Sequence, residues 1–128
     1  MKLFSKLVLT INDFQPDEPM VAERDLETKL REFLQRKGFT VERQVTKDKD
    51  RYDLVCRTFD EKVCIELKLK TNTNDIKQFD KYLPKFKDGL IVVCWSSSYA
   101  LRNIFENVVE QSPIPTVMIE LSKRYTLA

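Results

Sequence analysis

Histidine does not occur once in the 128 residues. Its absence excludes every mechanism that needs an imidazole: Ser-His-Asp and Cys-His nucleophiles, HExxH zinc sites and histidine-based nucleases. If the chain is an enzyme, carboxylates and lysine must carry the chemistry. Glycine (2) and proline (5) are scarce, which excludes a collagen-like or low-complexity chain. The 3 cysteines, Cys56, Cys64 and Cys94, form no CxxC pair and each sits in an apolar run. They read as small core residues of a reducing compartment, too few for a zinc or iron–sulfur site. No stretch approaches the ~20 apolar residues of a membrane span. Met1 to Ile11 lacks the long apolar core and cleavage site of a secretory signal. A soluble, cytoplasmic protein is expected, with no membrane partner and no small-molecule cofactor.

What is present is apolar and charged residues. At 42% hydrophobic, a chain of this length can bury one core, so residues 1–128 are read as a single domain. Charged residues make up 33%, yet 22 Lys+Arg against 20 Asp+Glu leave a net charge of only +2. That balance argues against a purely electrostatic nucleic-acid tail while leaving room for a locally basic face.

Periodicity divides the chain. Leu3, Leu7, Leu9 and Ile11 alternate and read as a strand. From Met20 to Lys37 the period becomes helical, with Leu26, Leu30, Phe33 and Leu34 on one face and Gly38 as the closing residue. Phe39 to Val45, Tyr52 to Arg57 and Lys62 to Lys70 read as strands. The short turn at Phe59-Asp60-Glu61 makes the last two an antiparallel hairpin. A helix begins near Asp75, and Pro84 ends or kinks it. Leu90 to Trp95 is a strand buried on both faces. A helix carrying Leu101, Ile104, Phe105, Val108 and Val109 follows, then a strand from Thr116 to Leu121. The expected order is β-α-β-β-β-α-β-α-β, an α/β fold.

Val63 to Lys70 is the most informative segment. Alternation sends Val63, Ile65, Leu67 and Leu69 to one face, and Glu66, Lys68 and Lys70 to the other. An isolated Glu-x-Lys is ordinary solvated strand. Asp53 changes that reading, because the hairpin can bring it beside Glu66, and two close carboxylates are unfavourable unless a cation bridges them. On the first helix Glu23 falls inside the arc of Leu26, Leu30 and Leu34, with Glu27 at its edge, so both acids lean towards the core. Gln78 and Tyr82 share a helix flank, which alone is ordinary surface. Lys68, Lys70, Lys77, Lys81, Lys85 and Lys87 make this region basic.

Taken in order, Glu27, Asp53, Glu66-x-Lys68 and Gln78-x-x-x-Tyr82 resemble the PD-(D/E)XK nuclease superfamily. The likeness covers about three-quarters of the chain and is nearest to small Holliday-junction-resolvase-like and RecB-like nucleases. Tyr52 stands where the motif's name has proline, and the four cysteines of iron–sulfur RecB-like members are absent. The resemblance implies a restriction-endonuclease-like αβββαβ core, a mixed central sheet flanked by helices, here with an extra N-terminal strand and a C-terminal αβ unit. It implies a Mg²⁺-dependent deoxyribonuclease, with Mn²⁺ as substitute and DNA as partner, acting on branched or single-stranded DNA in repair, recombination or defence. Carried over by position, Asp53 and Glu66 would be metal ligands together with the Leu67 carbonyl, and Lys68 the catalytic lysine. Glu27, or Glu23, would serve a second ion, and Gln78, Tyr82, Lys70, Lys77 and Lys81 would face DNA. A non-catalytic nucleic-acid-binding module on the same fold is the alternative. Symmetric cutting of two strands would favour a homodimer, with the N-terminal strand and the Val108–Val109 helix as contacts.

Overall fold

A computed structural model describes residues 1–16, 22–47, 50–71, 86–97 and 99–122. The elements are α1 (Leu3–Asn12), α2 (Glu23–Arg36), β1 (Thr40–Lys47), β2 (Asp50–Arg57), β3 (Lys62–Thr71), β4 (Leu90–Ser97), α3 (Tyr99–Gln111) and β5 (Thr116–Glu120). The helix expected near Asp75, with Gln78 and Tyr82, lies outside the described residues.

The five strands form one sheet in the order β1-β2-β3-β4-β5. β1 to β3 are joined antiparallel, while β4 and β5 run parallel to β3. The mixed α/β sheet expected from the strand order is therefore present; its antiparallel half comes from short turns and its parallel half from longer crossovers. Leu90 to Cys94 are fully buried, as a continuous apolar run on a central strand requires. On one face Leu54, Cys56, Val63, Ile65, Leu67, Ile91 and Val93 pack against Leu3, Leu7 and Ile11 of α1 and Leu26, Leu30 and Leu34 of α2. On the other, Val55, Cys64, Leu90 and Val92 meet Phe86, Phe105 and Ile114, with Val108 and Val109 partly buried against them. Those two valines thus belong to this chain's own core.

The expected N-terminal strand is instead the helix α1. Leu3, Leu7 and Ile11 satisfy the spacing i, i+4, i+8 and are buried, whereas Leu9, placed with them by alternation, is 57% exposed. Phe4 and Val8, which alternation assigns to the opposite face, also pack on the core. Lys2 gives no side-chain cap, and the Leu3 N–H donates instead to both Glu61 carboxylate oxygens at 3.4 Å. That acid pins the helix start to the β2–β3 turn and complements its dipole.

α2 ends as expected at Gly38, whose φ of +95° suits the left-handed position. The Gly38 N–H donates to the Gln35 carbonyl and the Phe39 N–H to the Leu34 carbonyl, both at 3.0 Å, closing a Schellman motif. This turn delivers the chain from α2 into β1 at the Arg57 end of β2, and the start of α2 lies at the other end, beside Asp53.

Candidate active site at the β2–β3 fork

The β2–β3 ladder pairs Val55 with Cys64 and Leu54 with Ile65. One step further Asp53 and Glu66 stand opposite each other, and there the backbone pairing stops. The Leu67 N–H donates to Asp53 Oδ2 at 2.9 Å, and the Asp53 N–H points at Glu66 Oε1 at 3.4 Å. Side-chain oxygens have replaced the next ladder bonds, so the strands part with two carboxylates in the fork.

Glu66 is 4% exposed. The Cys64 thiol donates to its Oε1 at 3.4 Å. Burial first, and the Asp53 charge second, push the Glu66 carboxyl up to about 8. Burial, with the negative charge of Glu66 behind it, also drives the Cys64 thiol well above its ordinary range. Cys56, on the opposite face, is pushed up to about 12 by burial alone. All three cysteines are buried and outside any disulfide, so none has the character of a nucleophile. At neutral pH the buried Glu66 carboxyl therefore keeps its proton.

Asp53 opens into a polar pocket of about 320 Å³, shared with Glu23, Arg24, Glu27, Arg43, Gln44 and Leu67. The sequence-derived acids of α2 are thus beside Asp53, but each is otherwise engaged. Glu27 is half-buried and faces Arg43, whose Nε lies 3.5 Å from its Oε1. Glu23 does not lean into the core as expected: it is exposed, and its Oε1 accepts the Leu69 N–H at 3.4 Å. Among the described residues no group of three or more Cys, Asp or Glu side chains converges closely enough to hold a metal ion. Asp53 and Glu66 are two oxygen-donor side chains that meet at the fork, a buried acid facing a second one, and a hard cation takes donors of this kind.

Lys68 follows Glu66 on the same strand face and is half-buried. The side chain of Lys70 lies outside the described residues, as do Lys77 and Lys81.

Two neighbours of the site escape the sequence reading. Arg43 lies two residues after Val41, which packs on the core, so alternation puts a cation in an apolar row. That placement was the available signal. Gln44 stands across from Asp53, where the β1–β2 ladder joins Arg43 to Leu54 and Val45 to Tyr52 but skips the pair between. Its φ of +51° is left-handed, which no pattern of residue types announces.

No protein-family model matches the chain, and neither curated proteins nor solved structures provide a match.

Proposed function

We propose that the chain is a metal-dependent deoxyribonuclease with a restriction-endonuclease-like core, hydrolysing phosphodiester bonds at the β2–β3 fork. The observation that carries this reading is Glu66, buried beside Asp53 and raised to about 8 where backbone pairing gives way to side chains. A packed structural strand gains nothing from two facing acids, whereas a cation site needs them.

In this reading Asp53 and Glu66 hold Mg²⁺, or Mn²⁺ in its place. That ion would supply polarisation of a phosphate oxygen and a more acidic water. Asp53 is held for the task by the Leu67 N–H, and Glu66 by Cys64 and the Asp53 N–H. Glu66 gives up its proton as the site takes up a cation. Lys68 offers a positive charge to the phosphate as negative charge develops on it. Glu27 and Glu23 are further acids within the same pocket. Lys70, Lys77, Lys81, Gln78 and Tyr82 are proposed as DNA contacts on their sequence pattern.

A non-catalytic DNA-binding module is the second reading, favoured by the engagement of Glu27 with Arg43 and of Glu23 with the Leu69 N–H. One panel separates the two: junction, flap, single-stranded and duplex DNA incubated with Mg²⁺ or EDTA. Mg²⁺-dependent cleavage lost in Asp53→Ala supports the nuclease. Binding of DNA without cleavage supports the module.

A further inference from the structure

Positive charge gathers at the end of β2 remote from the fork. Lys6 of α1, Lys37 at the close of α2 and Arg57 of β2 line one pocket of about 340 Å³. Three elements distant in sequence thus bring three cations to one concavity, and among the described residues no acid lines it. Such a concavity focuses potential and draws an anion. The acids that touch lining residues are held in contacts of their own. Glu42 pairs with Arg57, Glu61 accepts the Leu3 N–H, and Asp60 accepts the Thr58 hydroxyl at 3.3 Å. Arg57 keeps donors to spare beyond its bond to Glu42. Lys6 has no carboxylate partner among the described residues, and Lys37 Nζ rests over the Phe33 ring, 5.6 Å from its centre. Both ammonium groups therefore retain donors for an incoming anion.

Phe59 follows directly on Thr58 of this pocket and is fully exposed, in the turn between β2 and β3. It belongs to neither hydrophobic cluster, so the core does not call for an aromatic there. A cationic pocket takes a phosphate, and a bare ring stacks an unpaired base. Duplex DNA offers the phosphate but keeps its bases paired, whereas a single strand offers both groups. We propose that the turn end of the β2–β3 hairpin is a second nucleic-acid contact. It holds a single strand by a phosphate on Lys6, Lys37 and Arg57 and by a base on Phe59. This rests on the DNA reading above and adds to it the substrate class, single-stranded rather than paired. Asp53 and Arg57 are separated by roughly 13 Å of extended strand, so a bound strand reaches from this contact to the fork within a few nucleotides.

The test is fluorescence anisotropy of the whole chain with a labelled oligothymidylate of about 10 nucleotides, in EDTA. The chelator keeps the proposed cation site out of the measurement. Phe59→Ala removes a fully exposed ring without touching the core, and should weaken binding about 5-fold or more. Phe59→Trp should bind at least as tightly as wild type. Lys6→Ala with Lys37→Ala should weaken binding and lower the slope of log affinity against log salt by about 1. Lys29→Ala with Arg36→Ala takes the same charge from a neighbouring pocket and should have the smaller effect. The oligonucleotide annealed to its complement should bind more weakly and be indifferent to Phe59→Ala. Equal losses from the two charge pairs, or wild-type binding by Phe59→Ala, overturn the contact. Tighter binding of an oligouridylate than of the oligothymidylate overturns DNA as the strand held. The nuclease reading survives either result as long as Mg²⁺-dependent cleavage of DNA is lost in Asp53→Ala. Absence of both binding and cleavage removes the contact and the nuclease together.

Discussion

Asp53 Oδ2 accepts the Leu67 N–H at 2.9 Å, so a carboxylate of β2 completes the hydrogen bonding of β3 where the two backbones separate. The same interaction aims Asp53 at Glu66 and ties the site to the fold. Asp53→Ala should accordingly do two things. It should abolish Mg²⁺ binding and cleavage, and it should lower stability by about 1–3 kcal/mol by orphaning the Leu67 amide. Calorimetry and denaturant unfolding measure the two losses on one sample.

Lys68 should behave differently. Lys68→Ala removes a positive charge near the proposed cation site and should leave Mg²⁺ affinity intact or slightly improved. Single-turnover cleavage should nonetheless fall by ~10²-fold or more, the scale of losing one transition-state charge partner. Wild-type-like cleavage would return Lys68 to the surface of an ordinary strand.

Glu66 sets a pH dependence whose sign follows from its raised value. Between the ordinary carboxylate range and about 8, the unfolded chain has lost a proton that the folded chain keeps. Stability of the metal-free protein should therefore fall as pH rises through that window and level off above it. A tenfold change in proton affinity is worth about 1.4 kcal/mol, so the total is on the order of a few kcal/mol. Glu66→Gln should flatten this slope and raise the melting temperature most at pH 8 and above, in EDTA. A wild-type slope preserved in the variant would place the proton elsewhere.

The same proton offers a test of cation binding free of catalysis. In weak buffer at pH 7, Mg²⁺ added to wild type should release close to one proton per chain as Glu66 ionises. Glu66→Gln should release none. Proton release without dependence on Glu66 would detach the cation from this site.

Much of this arrangement was readable from residue order, and what was not has identifiable causes. The Asp53–Glu66 pairing followed from a short turn and strict alternation, because an antiparallel register leaves little choice. α2 was legible from Leu26, Leu30, Leu34 and Gly38, all local signals. α1 was misread because Leu7, Leu9 and Ile11 fit a period of two, while the deciding features are distant. They are Glu61 at the helix start and the packing of Phe4 near Gly89. The position of Arg43 against Glu27 likewise depends on how α2 crosses β1, which is tertiary information.

The Phe4–Gly89 approach carries its own prediction. Gly89 has a φ of +142°, and a Cβ there would collide with the Phe4 ring. Gly89→Ala should cost more than the ~1 kcal/mol of an ordinary glycine replacement, through backbone strain and the clash together. Phe4→Leu in the same chain should recover the steric part only. A double-mutant cycle in denaturant reads that coupling, and strict additivity would show that α1 does not dock against Gly89.

Gln44 is where fold and proposed activity can be pulled apart. Left-handed backbone costs a side-chain-bearing residue roughly 1–2 kcal/mol, and nothing in the composition of β1 requires it. The strain falls opposite Asp53, where an unbroken β1–β2 ladder would hold Asp53 to a regular strand geometry. Gln44→Gly relieves the strain but gives back roughly 0.5–1 kcal/mol in unfolded-chain entropy, so stability should stay level or rise by up to about 1 kcal/mol, with Mg²⁺ affinity unchanged. Gln44→Val, whose branched side chain disfavours positive φ and favours extended strand, should do the reverse. It should destabilise the chain or straighten β1, and in either case weaken Mg²⁺ binding at Asp53. Thermal unfolding and Mg²⁺ calorimetry on the two variants decide the matter. If Gln44→Gly is less stable than wild type, the glutamine side chain contributes more than its backbone costs. If Gln44→Val binds Mg²⁺ as wild type does, the left-handed residue has no part in positioning Asp53.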